Sequence, residues 1–272
     1  MSEVSSASST FAGDAESYER LMGRWSRRLA GPFLDFVGVG EGETVLDVGC
    51  GTGSLAFAVV ARARAAAVTG IDLSEAYIAC ARGRAEHGRI GFEVGDACAL
   101  PYADGSFDTV LSLLVLNFVP DAPAAAAEMV RVTRPGGGVA AAVWDLRGGL
   151  PVFRMFWDTA AVGDPAAAEI RARYYAARYT RPGELAAAWM ELGLRHVAQD
   201  GLTIRMDFDS FGDYWRPLLG KTGPAGSYLA GLPEAQRSRL ESRVRAAYEA
   251  GDPDGPRSFA ATAWVCRGRV PD

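Results

Sequence analysis

Short apolar runs alternate with helical patterns along the middle of the chain. Runs rich in Val, Ile, Leu and Phe predict buried strands at residues 44–48, 67–73, 90–97, 106–118 and 136–145. Between them, apolar residues recur at three- and four-residue steps and predict helices at about 54–64, 74–86 and 123–133. This alternation predicts a doubly wound α/β fold with a parallel sheet, whose ligand lies outside the carboxyl ends of the strands.

The pattern changes on both sides of this region. Residues 16–38 have a helical period that we expect Gly31 and Pro32 to break into two helices, whereas the Ser- and Ala-rich residues 1–14 predict a disordered tail. After Asp145, we expect a helix at 182–192, strands at about 196–208 and 257–268, and two helical, aromatic-rich insertions at 148–179 and 209–252. Residues 15–272 are therefore predicted to form a single domain.

A glycine-rich turn at residues 45–53, VLDVGCGTG, joins the first strand to the following helix. Such turns let a ligand approach the backbone closely, and dinucleotide-binding folds use them too. Asp47 separates the two possibilities, because its carboxylate would repel a pyrophosphate but attract the ammonium and balance the sulfonium charge of S-adenosylmethionine. Ser54 also stands where a dinucleotide site places its third glycine. The turn therefore favours the sulfonium cofactor.

Acidic residues follow the next two predicted strands as well. Asp72, followed by Leu73, has the spacing of the acid that accepts hydrogen bonds from ribose hydroxyls. Asp96 is placed to accept a hydrogen bond from the adenine amine, and Ala97 offers a backbone N–H to the ring. Any one such aspartate is more often a helix cap or turn residue. Acids after three successive strands make that explanation improbable.

With these motifs in place, the chain resembles the class I S-adenosylmethionine-dependent methyltransferases of the broad group that includes the ubiquinone and menaquinone biosynthesis enzymes. The resemblance rests on VLDVGCGTG, GIDLSEAYIACAR, GDACALPYADGSFDTVLSLLVLNFVPD and RVTRPGGGVAAAVWD. It implies a seven-stranded Rossmann-like sheet, mostly parallel with an antiparallel last strand, and helical lids that include residues 16–38. It also implies cofactor contacts from Gly49, Cys50 and Gly51 through their backbone, from Leu113 near the methionine end, and from Tyr18 closing over the cofactor.

Charge and cysteine content limit the partners and the cellular location that we expect for the protein. A net charge of −5 and a pI near 5.2 argue against a nucleic-acid partner. Four cysteines without a CxxC pair, and no signal-like or membrane-spanning apolar run, lead us to expect a reduced, cytoplasmic protein with no membrane partner. No arrangement of His, Cys and acids suggests a metal site. The sequence leaves the oligomeric state open.

No catalytic residue can be assigned from the sequence. Methyl transfer needs mainly alignment and exclusion of water, so a base is optional. Many members of that family have His where this chain has residues 116–118. Acidic residues such as Asp145 and Asp158 are candidate bases, but nothing in their spacing selects one. Arg24 is a candidate partner for the cofactor carboxylate. We expect transfer to a small, hydrophobic or aromatic metabolite under an aromatic lid. The alternatives are a cofactor-binding protein without methyl transfer and a nicotinamide-dependent oxidoreductase.

Overall fold

A computed structural model describes residues 15–63, 66–85 and 88–272, and the predicted tail 1–14 lies outside this part. The strands found there form one sheet in the order β3-β2-β1-β4-β5-β7-β6. β1 to β5 are parallel, and β7 runs antiparallel to both β5 and β6. Their bounds are β1 Thr44–Val48, β2 Ala67–Asp72, β3 Ile90–Val94, β4 Phe107–Leu113, β5 Thr133–Trp144, β6 Arg195–Phe208 and β7 Arg257–Arg269. The doubly wound, seven-stranded prediction is confirmed.

Helices lie against both faces of the sheet and over its carboxyl edge. They are α1 Ala15–Tyr18, α2 Arg24–Val37, α3 Ser54–Arg62, α4 Glu75–Arg84, α5 Ala122–Val132, α6 Pro151–Gly163, α7 Pro165–Tyr175, α8 Glu184–Glu191, α9 Phe211–Trp215, α10 Gly223–Gly231 and α11 Glu234–Glu249. Side chains before several of them cap the first turn: Ser74 accepts from the Tyr77 N–H and Asp121 from that of Ala124. None of the described helices is long and apolar enough to cross a membrane.

Alternate residues of the central strands supply the two apolar cores. In β1, Val45 belongs to the core on one face of the sheet and Leu46 to the core on the other. The first core includes Phe33 and Trp157, which come from α2 and α6, and the second includes Trp189 from α8. Burial on both faces explains why the central strands are continuously apolar instead of alternating with polar residues.

The prediction that Gly31 and Pro32 divide the N-terminal helical region into two helices is wrong. α2 continues through Pro32 to Val37, and it is joined to α1 by a π-helical segment at Glu19–Gly23. Pro32 is on the exposed side, so its ring meets solvent, and burial of neighbouring residues such as Phe33 offsets the lost backbone hydrogen bond. The irregular backbone is instead that π-helical segment, which precedes α2 and lies beside the carboxyl edge of the sheet. Segments of this kind are common at functional sites.

The predicted fourth strand is also too long. β4 ends at Leu113, and Leu116–Phe118 forms a single 3₁₀ turn. Leu114 between them has a φ of 66°, in the left-handed region that a branched side chain rarely adopts. Apolar composition predicted a strand here, but Leu114, Val115 and Phe118 line a cavity, described next, while Leu116 is buried in the second core.

Candidate functional site

A cavity of about 530 Å³ opens at the carboxyl ends of β1 to β5. Its volume lies within the range of sites that hold small ligands. The residues after β1, β2 and β3 form one end, and the helical insertions form the other. The position agrees with the general rule for ligands of doubly wound sheets.

The glycine turn after β1 forms part of the wall. Gly49 and Gly51, which both line the cavity, have φ values of 72° and 52°. Asp72, at the end of β2, holds the turn in place: one carboxylate oxygen accepts the Gly51 N–H at 2.9 Å and the other accepts the Ser74 N–H at 2.8 Å. Burial raises the pKa of Asp72, and these two hydrogen bonds oppose the rise. The carboxylate is thereby oriented toward the cavity with lone pairs left to accept hydroxyl groups.

Asp47 lies beneath the turn and is fully buried. Its Oδ2 accepts the Ala56 N–H at 3.1 Å, whereas Oδ1 has no hydrogen-bond partner among the described residues. Burial, together with the nearby charge of Asp72, raises the pKa of Asp47 to about 7 despite the Ala56 hydrogen bond. Because Asp47 already occupies the N-terminus of α3, that helix end does not offer the amide and positive field that a pyrophosphate needs.

The third acidic residue follows β3. Asp96 and Ala97 line the cavity, and the Asp96 Oδ1 accepts the Cys98 N–H at 2.8 Å. Asp121, before α5, lies beside them, since the Cys98 thiol contacts its carbonyl oxygen at 3.5 Å. Glu75 at the start of α4 also lines this end. The carboxylates of the cavity are therefore concentrated after β2 and β3.

Tyr18 covers the glycine turn from the N-terminal side. Its ring lies 4.8 Å from that of Tyr77, and its hydroxyl would be 3.4 Å from a Cβ built on Gly51. Burial raises the pKa of Tyr18, and a hydrogen bond with Ser26 partly offsets that rise, so its hydroxyl is protonated and engaged. Tyr18 thus forms a roof over the cavity at the place where the sequence predicts it to lie.

A group of polar contacts holds this roof on the turn. Glu19 accepts hydrogen bonds from the Thr52 hydroxyl and from Arg27, and Arg84 reaches both Glu19 at 3.4 Å and the Thr52 carbonyl at 3.0 Å. Burial raises the pKa of Glu19, but the hydrogen bonds from Thr52 and Arg27 and the two arginine charges outweigh it, so its pKa lies below the ordinary value. Glu19 is therefore an anionic link between the π segment and the turn.

The opposite end of the cavity is apolar. Trp144 at the end of β5 and Val115 after β4 form its floor. The other walls come from the π segment, the loop after Leu116–Phe118, and the insertions, which contribute Leu21, Met22, Phe118, Val119, Pro120, Leu150, Phe153, Tyr174 and residues 222–225. An apolar, aromatic end of this kind excludes water and fits a hydrophobic compound.

No basic side chain lines the cavity within the described residues. Arg24 points away and pairs with Asp213 at 3.0 Å, so the structure does not place it at a cofactor carboxylate. Asp158 pairs with Arg154 and Arg171 outside the cavity, and Asp145 accepts backbone N–H groups from its own turn, so neither candidate base reaches the site. Nor does the described part of the chain contain three or more His, Cys, Asp or Glu grouped for a metal ion.

Comparison with known proteins adds to this geometry. Residues 46–141 match the family model described as "Methyltransferase domain". Over these residues the chain is similar to methyltransferase domains, and the match covers less than half of the chain. The matched residues run from β1 to the middle of β5, so they include the glycine turn and the acids after β2 and β3.

Curated relatives match over the same part of the chain. The methyltransferase GfsG of Streptomyces halstedii is 39% identical over 45% of this chain and 45% of its own length. The ubiquinone/menaquinone biosynthesis C-methyltransferase UbiE of Paracoccus denitrificans is 42% identical over 38% of this chain and 43% of its own. The match thus covers less than half of each relative. Among solved structures, a phosphoethanolamine N-methyltransferase 2 of Haemonchus contortus, at 17% identity, superposes with a TM-score of 0.59 over 95% of this chain and 57% of its own, which shows the shared fold.

The fold brings most of the predicted cofactor residues to one cavity. Tyr18, Gly49, Gly51, Asp72, Leu73, Asp96 and Ala97 all line it. Asp47 lies under the turn, where it can act through charge. Cys50, within the turn, does not line the cavity; its N–H donates to the Ile71 carbonyl and its own carbonyl accepts the Gly53 N–H. Leu113 is buried, and Leu114 lines the cavity instead. Their contacts with a cofactor stay predictions. Sequence reasoning missed Glu19, Thr52 and Leu114, whose roles depend on the packing of the N-terminal helix and on a turn that apolar composition conceals.

Proposed function

We propose that the protein transfers the methyl group of S-adenosylmethionine to a small, neutral, apolar or aromatic molecule and releases S-adenosylhomocysteine. The observation that supports this most directly is the combination of a buried, half-satisfied Asp47 with a cavity that contains acidic and no basic described side chains. Such a site fits a cationic cofactor and opposes a pyrophosphate. The bound cofactor supplies a methyl carbon activated by a sulfonium, and the acceptor takes this carbon as the carbon–sulfur bond breaks.

The protein's own residues have separate tasks in this proposal. Asp72 accepts the ribose hydroxyls, Asp96 accepts the adenine amine and the Ala97 N–H donates to the ring, while the backbone of residues 49–51 and Leu73 contact the cofactor closely. Tyr18 covers it, with Glu19 keeping the roof on the turn. We further propose that α1, α2, α6, α7 and the helices of residues 209–252 act as lids of one domain spanning 15–272. They align the acceptor and exclude water during methyl transfer, and the proton displaced from the acceptor passes to water when the lids open to release the products.

Calorimetric titration with S-adenosylmethionine, S-adenosylhomocysteine and NAD tests the cofactor. We expect both adenosyl compounds to bind and NAD not to bind. Asp72→Asn keeps the shape of the side chain but removes its charge, and it should weaken binding by roughly tenfold or more, because charge-assisted hydrogen bonds are lost. Asp104→Asn is the control, since Asp104 is exposed and pairs with Arg131 away from the cavity. Binding of NAD alone would contradict the proposal and favour an oxidoreductase.

A second candidate is a protein that binds the cofactor without transferring its methyl group. It is favoured by one observation: no histidine among the described residues lines the cavity, and the lining carboxylates, those of Asp72, Glu75, Asp96 and Asp121, are ones that the proposal places at the cofactor end. Incubation with S-adenosylmethionine and a panel of neutral aromatic acceptors distinguishes the two. Formation of S-adenosylhomocysteine in step with methylated product supports transfer, whereas tight cofactor binding with no turnover on any acceptor supports the second candidate.

A further inference from the structure

The hydroxyl groups that line the cavity differ in whether they already have a hydrogen-bond partner within the protein. Ser26 is engaged with Tyr18, and the Thr222 hydroxyl donates to the Gly220 carbonyl at 3.4 Å. Tyr174 on α7 lines the cavity, yet its hydroxyl makes no hydrogen bond within the described residues. An unpaired hydroxyl in an otherwise apolar site is costly unless a ligand or water satisfies it.

Tyr174 is held in place by its surroundings. Its ring packs against Trp157 at 6.3 Å and against Tyr175 at 6.1 Å. Asp158 on α6 fixes α7 from the other side, because it accepts hydrogen bonds from Arg171 at 3.0 Å and from the Tyr175 hydroxyl at 3.4 Å. A rigidly positioned hydroxyl loses little conformational entropy when it binds a ligand.

The hydroxyl acts as a donor and not as a base. Burial and the neighbouring Tyr175 raise the pKa of Tyr174, so the phenol keeps its proton at neutral pH. Phe153 beside it is apolar, Trp144 offers only the neutral donor of its buried Nε1–H, which has no partner among the described residues, and no Lys, Arg or His of the described chain lines the cavity. An acceptor carrying a carboxylate or phosphate would therefore lose its hydration without gaining a counter-charge.

We propose that Tyr174 determines acceptor specificity by donating a hydrogen bond to an uncharged oxygen of the acceptor. The acceptor class is then a neutral, largely aromatic or apolar compound with a carbonyl, ether or hydroxyl oxygen, and anionic compounds are excluded. This inference rests on the proposed function, because it treats the apolar end of the cavity as the acceptor site.

The test uses three probes of nearly equal shape: ethylnaphthalene, acetylnaphthalene and naphthoate, substituted at the same ring position. Each is titrated into the full-length protein saturated with S-adenosylhomocysteine. Acetylnaphthalene should bind roughly five- to tenfold more tightly than ethylnaphthalene, as one neutral hydrogen bond in a dry site allows, and naphthoate should bind least. In Tyr174→Phe the preference for the ketone should disappear while the affinity for ethylnaphthalene is unchanged.

Tyr102→Phe is the matched control. It removes a tyrosine hydroxyl that donates to Glu93, does not line the cavity and makes no contact with α7, so the preference for the ketone should be retained. Equal binding of ketone and hydrocarbon, a preference that survives Tyr174→Phe, naphthoate binding as well as the ketone, or no binding of any probe would each overturn the inference. If S-adenosylhomocysteine itself fails to bind, the proposed function fails, and the same probe series on the cofactor-free protein still decides the role of Tyr174.

Discussion

Replacing Asp47 by Asn should stabilise the protein while weakening its hold on the cofactor. Asp47 is fully buried, and its pKa of about 7 compares with an ordinary value of 3.8. A pKa difference of about three corresponds to about 4 kcal/mol of unfolding free energy lost when the carboxyl ionises inside the fold. The Asn side chain keeps an acceptor for the Ala56 N–H but leaves its own N–H₂ unsatisfied, at about 1–3 kcal/mol. We therefore expect a net gain of about 1–3 kcal/mol at pH 8.

The pH dependence follows from the sign of the shift. Below about pH 4, Asp47 is protonated in both the folded and the unfolded protein and contributes no difference. Between about pH 4 and 7, the unfolded chain ionises while the folded chain stays protonated, so the wild type loses stability as the pH rises. The advantage of Asp47→Asn should thus shrink by about 2–3 kcal/mol between pH 8 and pH 5.

Urea denaturation of both proteins at pH 5 and pH 8 measures this directly. Asp108→Asn is a control of opposite sign: hydrogen bonds from Thr44 and Arg134 lower the pKa of Asp108 to about 2, so that variant should be destabilised equally at both pH values. The reasoning is refuted if Asp47→Asn is less stable than the wild type at pH 8, or if its effect does not change with pH. The variant should also bind S-adenosylmethionine more weakly, since the buried counter-charge is gone.

Three further substitutions test the roof, the turn and the first long helix. Glu19→Gln should weaken the contact with the glycine turn and so raise the dissociation constant for S-adenosylhomocysteine roughly three- to tenfold, as measured by calorimetry. Glu16→Gln, which changes an exposed side chain of the adjoining α1, should leave this constant unchanged. Gly49→Ala should lower the unfolding free energy by about 2–4 kcal/mol, because φ is 72° and a Cβ would lie 2.5 Å from Val115. Pro32→Ala should raise the melting temperature, with a gain of about 1–2 kcal/mol from the restored helix hydrogen bond; an unchanged or lower value would contradict the assignment of an uninterrupted α2.

The sheet, and the gathering of the predicted acids at one end of the cavity, were predictable because they depend on local patterns. Buried parallel strands are continuously apolar, and each acid predicted to contact the cofactor follows a strand in the sequence, so topology alone brings Asp72 and Asp96 to one edge. The glycines of the turn were predictable for the same reason, since positive φ values favour that residue type.

The acceptor end was not predictable from such patterns. Tyr174 and Phe153 belong to helices whose other aromatic residues pack in the core, and nothing in their spacing distinguishes the two that face the cavity. Arg24 and Asp158 were assigned possible roles from residue type alone. In the structure Arg24 binds Asp213, which is distant in sequence, and Asp158 binds Arg154 and Arg171 outside the cavity. The effect of Pro32 was misjudged because the cost of a proline inside a helix, about 3 kcal/mol, is small beside the free energy gained by burying the apolar face of a long amphipathic helix.

The two ends of the cavity draw largely on different stretches of the chain, although Tyr18 covers the cofactor end from outside residues 46–141, and Val115 and residues 118–120 of the apolar end lie inside that range. The turn and the acids of the cofactor end lie within residues 46–141, whereas the apolar walls come largely from the insertions at 148–179 and 209–252 and from the N-terminal helices. Substitutions that reshape the acceptor walls therefore need not disturb any residue of the glycine turn. In such a molecule, selection or design can exchange one set of insertion helices for another and change what is methylated, while the part that the relatives share continues to hold the same methyl donor.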